Sequence, residues 1–342
     1  MVSLRSTYAT LLSFSSSNAS NLLSVVVPAV AVDTPVSPKP LLNTLVAAIL
    51  GLIIAAGLMI ALAYFDDSIK DSDRVHEIAG LGTLGTILRM PGDKGRSEMY
   101  RLATLLYPRS YVAEAYRTLR TNIEFASVGV PFRTLLVTSS IPGEGKTVTA
   151  ANLAVTFAQS GRRVILVDAD LRKPGVHLVF NTPNAHGLTT LLRSDDVSLD
   201  AVAQVTEQDH LRVLTTGPLP PNPAELLGSP RMQVILERLK VGDDLVIFDS
   251  PPLRAVSDSA ILSSFLDGTV LVIDAERSRR PDVRLARAAL DRAGATVFGA
   301  VLNRIKRNSQ ADYQGYFGVY GSEVGSEKGI RGTEEPPQPS TS

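Results

Sequence analysis

Apolar residues are distributed along the chain in three regimes. From Leu45 to Phe65 every residue is apolar or glycine except Tyr64. At about 1.5 Å per helical residue this run covers roughly 30 Å, the thickness of a bilayer core. A helix apolar on all sides over that length is covered more readily by lipid than by a protein of 342 residues. The run begins more than forty residues in and ends at Asp66-Asp67 without a small-residue cleavage pattern, so it predicts a retained transmembrane helix over 41–65. Residues 1–40 are Ser-rich and close on Pro35-Val36-Ser37-Pro38-Lys39-Pro40, which proline holds extended. After the span, residues 66–109 mix charges with Gly80, Gly82, Gly85 and Pro91-Gly92, which reads as a juxtamembrane linker with one short helix.

From Ser110 onward the pattern changes again. Short apolar runs near 133–138, 163–168, 211–215, 244–249, 269–274 and 296–302 alternate with helical periodicity near 146–160, 230–240, 257–266 and 281–293. Strands alternating with helices in this way predict an α/β domain over 110–308, a parallel sheet flanked by helices with right-handed crossovers. Beyond it, residues 309–342 turn to Gly, Ser, Glu and Pro, a composition that predicts a disordered tail. Charge adds an exclusion: 34 basic residues balance 34 acidic ones, so nothing in the overall field calls for a nucleic-acid partner. The chain has no cysteine, which removes disulfides, thiolate metal sites and cysteine nucleophiles. Its four histidines, His76, His177, His186 and His210, show no metal-ligand spacing.

The chemistry is concentrated where strands end. Leu135-Leu136-Val137-Thr138-Ser139-Ser140-Ile141-Pro142-Gly143-Glu144-Gly145-Lys146-Thr147 is a buried-type strand, a turn of small residues and the start of a helix, the layout of a P-loop. Ser140, Pro142, Gly143, Glu144, Gly145, Lys146, Thr147 and Val148 would line the ATP site, the main-chain N–H groups of the turn and the first helical turn cradling the phosphates. Lys146 would reach the β and γ oxygens, and the Thr147 hydroxyl would hold Mg²⁺. Ser140 stands where the usual GxxxxGK[ST] pattern begins with glycine. Two further strands end in acids: Val167-Asp168-Ala169-Asp170-Leu171-Arg172 and Phe248-Asp249-Ser250-Pro251-Pro252. One strand-terminal Asp is as readily a helix cap. Three at the sheet edge that carries a P-loop point to phosphoryl transfer, with Asp249 and Asp168 placed to hold the metal directly or through water. A nucleotide site also sets orientation, because ATP is cytoplasmic: the α/β domain lies on the cytoplasmic side of the inner (plasma) membrane in a single-pass topology and residues 1–40 lie outside.

In these residues the chain resembles the bacterial tyrosine kinases, whose fold is that of the deviant P-loop ATPases of septum placement and partition. The resemblance runs from about Ser110 to Tyr320, and in that family Ser140 is the expected loop residue. It implies ATP and Mg²⁺ as cofactors, Lys146, Asp168, Asp170 and Arg172 as the catalytic group, with Asp168 positioning or deprotonating the phenol, and Asn303 at the adenine edge. Glu114, Arg117 and Arg120 match the family's ExxRxxR helix and imply a ring-forming homo-oligomer; at three-residue spacing they form a charged stripe on one helix face. Tyr313, Tyr316 and Tyr320 fall within eight residues of the tail and are the implied phosphoacceptors. The proline run, the span and Asp66-Asp67 are similar to the last membrane span of the polysaccharide chain-length determinants, which implies a partnership with polysaccharide polymerase and export machinery at the membrane. The resemblance does not extend to that family's first membrane helix and large external domain. Two other readings share the P-loop: a partition-type ATPase switch, disfavoured because Thr138, Ser139 and Ser140 stand where those proteins carry a second lysine, and a non-enzymatic assembly scaffold.

Overall fold

The computed structural model describes residues 2–18, 38–64, 69, 72–89, 102–128, 131–194, 196–240 and 245–306. The chain divides into two units, Met1–Asp66 and Asp67–Ser342. The first holds α1 (Val2–Asn18) and α2 (Pro40–Tyr64). Proline opens α2, where its missing N–H costs no hydrogen bond. Within α2 the segment Pro40–Ala61 is long and apolar enough to span a membrane, and none of it is buried in protein. Leu52, Ile54, Met59 and Ile60 are each about 60–70% or more exposed (72, 68, 70 and 71%), so this helix is no core helix of a globular fold.

The second unit begins with α3 (Ser72–Ala79), β1 (Thr83–Leu88), α4 (Ala103–Leu106) and α5 (Tyr111–Ala126). Then follow β2 (Thr134–Ser139), α6 (Lys146–Gln159), β3 (Val164–Asp168), α7 (Val176–Phe180), α8 (Leu188–Arg193), α9 (Leu199–Val202), β4 (Gln204–Val205) and β5 (Leu211–Leu214). The chain continues through α10 (Pro223–Leu227), α11 (Pro230–Leu239), β6 (Leu245–Asp249), α12 (Asp258–Ser263), β7 (Gly268–Asp274), α13 (Arg280–Arg292) and β8 (Val297–Ile305). The eight strands form one sheet in the order β1-β8-β7-β2-β6-β3-β5-β4, parallel except for the two-residue β4.

Alternation along the central strands sorts their side chains onto two faces. Leu135, Val137, Leu166 and Ile247 pack on one side with Leu119 of α5 and Leu153 and Phe157 of α6. On the other side Leu136, Ile165, Val167 and Phe248 meet Leu191 of α8 and Ile235 and Leu236 of α11, while Leu271, Ile273 and Leu302 meet α3 and α13. With helices on both faces β2, β3, β6 and β7 are buried at every residue, which is why they read as unbroken apolar runs.

Residues 72–89 contribute more than the one helix expected of a linker. β1 pairs in parallel with β8 and so joins the sheet as its edge strand. Gly85 in its middle breaks the apolar pattern and lies against α5, where a Cβ would be in ordinary contact with Leu119 at 3.4 Å. The expected tail, including Tyr313, Tyr316 and Tyr320, lies outside the described residues.

Candidate nucleotide and phosphoryl-transfer site

The carboxyl ends of β2, β6, β3, β7 and β8 converge on one edge. Register brings the acids together, since Asp168 pairs across the strands with Asp249, and Asp249 with Val137 just before the P-loop. Between β2 and α6 the loop bends through two left-handed glycines, Gly143 (φ 85°) and Gly145 (φ 93°), the latter capping α6. At both positions a side chain of the β7–β8 side also closes over the glycine. A Cβ on Gly145 would stand 2.3 Å from Asn303 Nδ2, and one on Gly143 would stand 2.7 Å from the Arg277 guanidinium.

Three contacts brace this loop from the β7–β8 side. Buried Glu144 accepts from Ser140 Oγ (2.7 Å), from the Ile141 N–H (2.8 Å) and from Ser278 Oγ; burial raises its pKa against these donors. Asn303 Nδ2 donates to the Glu144 carbonyl at 2.8 Å. Arg304 donates to the Gly143 carbonyl at 2.7 Å and to Asp274 Oδ2 at 2.8 Å. On the β6 side, the main-chain N–H groups of Leu253 and Arg254 donate to the carbonyls of Ser139 and Ser140.

The opposite half of the site is a cluster of charge. Lys146 Nζ lies 2.9 Å from Asp170 Oδ2, 3.6 Å from Asp249 Oδ1 and 3.3 Å from Thr147 Oγ1. Burial disfavours its ammonium, but Asp249 and Asp170 together outweigh that cost and raise its pKa. Asp168, Asp170 and Asp249 are all buried, at 0, 3 and 0% exposure. Burial first and the Asp249 charge second push Asp168 up to about 7. Burial likewise raises Asp249, against the pull of Lys146.

The two acids differ in what they hold. Asp168 accepts from the main-chain N–H groups of Asp170 (3.2 Å), Gly175 (3.0 Å) and Val176 (2.9 Å), so it shapes the turn into α7. Neither oxygen of Asp249 has a hydrogen-bond partner. A buried carboxylate beside a P-loop hydroxyl, whose ion pair to Lys146 is a loose 3.6 Å, is a hard-oxygen donor set and fits Mg²⁺. Among the described residues no three His, Cys, Asp or Glu side chains form a self-sufficient metal cage, so phosphate oxygens would have to complete the coordination.

The comparisons agree with this geometry. Residues 135–317 match the family model of the CobQ/CobB/MinD/ParA nucleotide binding domain. Over 227 residues the chain is 44% identical to tyrosine-protein kinase YwqD of Bacillus subtilis, covering 66% of this chain and 95% of that protein. The chain belongs to the bacterial tyrosine kinases. It is also 33% identical over 318 residues to tyrosine-protein kinase etk of Escherichia coli K12, covering 88% of this chain but 44% of that protein. The solved kinase domain of Escherichia coli tyrosine kinase ETK matches with a TM-score of 0.64 at 32% identity, over 70% of this chain and 96% of that one.

Within this family fold, Ser140, Pro142, Gly143, Glu144, Gly145, Lys146, Thr147 and Val148 lie on one loop and helix start, with Asp168, Asp170 and Asp249 against Lys146. Arg172 does not touch that cluster through its side chain. Its guanidinium makes a bidentate pair with buried Asp258, at 2.9 and 3.1 Å. Asn303 sits against the loop's main chain, where its Oδ1 also accepts from the Arg304 N–H at 2.9 Å.

Glu114, Arg117 and Arg120 lie on α5, away from the strand ends. Arg117 pairs with Glu114 at 2.8 Å, and Arg120, half-buried, donates to the Thr156 carbonyl of α6 at 3.1 Å. Two partners escaped the sequence reading. Asp274 ends β7 as Asp168 and Asp249 end their strands, a signal that was available; it accepts from the N–H groups of Glu276 and Arg277 and from Arg304. Asp258 opens a helix and reads as a cap until the fold places it under Arg172.

Proposed function

We propose that this chain is a membrane-anchored, ATP-dependent protein-tyrosine kinase that phosphorylates tyrosines of its own tail on a neighbouring subunit, and that it acts with polysaccharide synthesis and export machinery at the plasma membrane. The observation that carries the reading is the single buried ammonium of Lys146 poised between P-loop and carboxylates, in a chain of tyrosine-kinase family. In the transfer, the tyrosine Oη forms a bond to Pγ, the bond from Pγ to the β–γ bridging oxygen breaks, and ADP leaves with that oxygen. Lys146 exchanges its carboxylate contacts for the β and γ oxygens and neutralises charge that develops there. Mg²⁺ held by Thr147 and Asp249, with Asp168 behind them, would shield the phosphate charge. Asp168 is the acceptor nearest to hand for the phenol proton, and a folded-state value of about 7 suits a base working near neutrality.

The place of β8 in the sheet supports transfer between subunits. β8 is four strands from β3 in the sheet, roughly 19 Å at about 4.8 Å per strand. Tyr313 is ten residues past Asn303 and Tyr320 seventeen, contour lengths of at most roughly 35 and 60 Å. Contour alone permits either route, yet a tail folding back would have to skirt the nucleotide bound beneath Asn303. A ring built through Glu114, Arg117 and Arg120 presents a neighbour's γ-phosphate instead and raises the local tail concentration.

Incubating the purified full chain with γ-labelled ATP tests the reading. Label on protein tyrosine supports the kinase; free phosphate alone would identify an ATPase switch, and neither product a scaffold. Mixing Lys146→Met chains with tail-deleted active chains tests the route: label must appear on the Lys146→Met tails.

A further inference from the structure

The segment between Asp170 and α7 is fastened at both ends to the acidic cluster. Asp170 Oδ1 accepts from the N–H groups of Arg172 (3.3 Å) and Lys173 (2.9 Å). At the far side Gly175 donates to Asp168 Oδ2 at 3.0 Å, and a Cβ on Gly175 would lie 3.2 Å from Thr147 Cγ2 and 3.6 Å from its hydroxyl. Lys173 therefore sits on a short bridge between the residue that holds Lys146 and the residue that packs on Thr147. Its Cα is within about 8 Å of that of Gly175, two Cα steps away.

The Arg277 guanidinium lies on the opposite, β7 side of the P-loop, beside Gly143, and the two cations nearest Lys173 are engaged. Lys146 is held by Asp170 and Asp249, and Arg172 by Asp258. Lys173 is exposed, and among the described residues its ammonium has no partner. The acids that line the site are buried, and none of them pairs with the Lys173 ammonium. A free ammonium at the rim by which an acceptor approaches attracts a carboxylate on that acceptor.

The tail offers one such carboxylate directly beside a tyrosine. Asp312 precedes Tyr313, whereas Tyr316 stands between Gly315 and Phe317, and Tyr320 between Val319 and Gly321. We propose that Lys173 is a specificity-determining residue that binds a carboxylate adjacent to the acceptor tyrosine, which makes Tyr313 the preferred phosphoacceptor ahead of Tyr316 and Tyr320. This rests on the kinase reading above and names the substrate class within it: tyrosines with an acidic neighbour. The bonds made and broken are those of the transfer already described; Lys173 acts on which tyrosine arrives.

The test uses the full chain, dephosphorylated and then given MgATP for times short enough that most tails carry no phosphate, with occupancy of each tyrosine read by fragmentation mass spectrometry. Tyr313 should label about threefold to fivefold faster than Tyr316 or Tyr320, the scale of one exposed ion pair. Asp312→Asn and, separately, Lys173→Gln should each bring Tyr313 down to the rate of the other two while leaving Tyr316 and Tyr320 within about twofold. The two changes combined should cost no more than either alone, the signature of one shared interaction.

Equal labelling in the unaltered chain overturns the proposal, as does an Asp312→Asn tail that keeps its preference. So does a Lys173→Gln chain in which all three tyrosines slow together, because that lysine would then be serving the nucleotide. Phosphotyrosine spread evenly over the tail defeats this inference alone, whereas absence of phosphotyrosine defeats the kinase reading and the inference with it.

Discussion

Lys146→Met tests both halves of the site's electrostatics. Three buried carboxylates, Asp168, Asp170 and Asp249, share the one ammonium, and removing one partner of a buried ion pair costs about 3–5 kcal/mol. For a domain of this size each kcal/mol moves the midpoint by about 2–4 °C, so the nucleotide-free variant should melt roughly 10 °C lower at about pH 8. The pH dependence has a definite sign. Asp168, raised from 3.8 to about 7, binds more protons folded than unfolded, so its contribution is complete below its unfolded value and is lost as pH rises through about 7. Asp249 is shifted the same way. Acidification from about pH 8 to about pH 5.5 should therefore stabilise the nucleotide-free chain, and Lys146→Met should gain more, because losing the ammonium favours protonation of its neighbours. Scanning calorimetry of the full chain in detergent at both pH values reads this, alongside tyrosine labelling, which should be abolished. A variant that melts with the parent at pH 8, or a deficit that fails to narrow on acidification, refutes the account of the cluster.

Asp249→Asn should raise the midpoint of the nucleotide-free chain at pH 8 while abolishing Mg²⁺-dependent labelling, because it removes a buried anion without hydrogen-bond partners; a lowered midpoint would contradict that. Gly145→Ala places a methyl group against Asn303 at a φ of 93°, and should weaken ATP binding at least about tenfold by calorimetry, the equivalent of about 1.4 kcal/mol of strain. Arg117→Ala with Arg120→Ala should shift the full chain toward monomer in sedimentation. Because Arg120 also donates to Thr156, a loss of about 1 kcal/mol in stability should accompany the change, and unaltered assembly would remove the interface from α5.

The sequence was most legible where burial is uniform. β2, β3, β6 and β7 are covered on both faces, so their apolar runs and the small-residue loop after β2 announce strand, P-loop and helix without further help. β1 is an edge strand with only Leu84 and Ile87 buried, so its sequence reads as linker, and β4 has two residues and no pattern to show. The same distinction holds in the site. Lys146, Thr147, Asp168 and Asp249 are visible as motif, whereas Asp258, Ser278 and Arg304 act only through partners brought by the fold. Arg172 stands in a motif, but its guanidinium is committed to Asp258, which no local spacing reveals.

The distribution of contacts around the P-loop divides the site into a fixed half and a half that substrate must rearrange. On the β7–β8 side Glu144 with Ser278, Asn303 with the Glu144 carbonyl, and Arg304 with the Gly143 carbonyl hold the loop by hydrogen bonds that ATP need not break. Arg304 makes its contacts from a left-handed backbone (φ 58°), a conformation that costs a non-glycine residue on the order of 1 kcal/mol, and the two bonds from its guanidinium offset that cost. On the β3–β6 side the main chain of Leu253 and Arg254 holds the start of the loop, while the charged ties pass through Lys146, and its partners are carboxylates. A γ-phosphate arriving there competes with Asp170 and Asp249 for the same ammonium, and Asp249, released from Lys146, is left with both oxygens open to a cation. Binding of phosphate and binding of Mg²⁺ are then favourable together and costly apart, because either one alone leaves an unbalanced charge in a buried site. With ATP as the nucleotide, as proposed above, the arrangement would favour the magnesium complex over free ATP, and the ion cluster of Lys146, Asp170 and Asp249 would hold the lysine in place until that complex arrives.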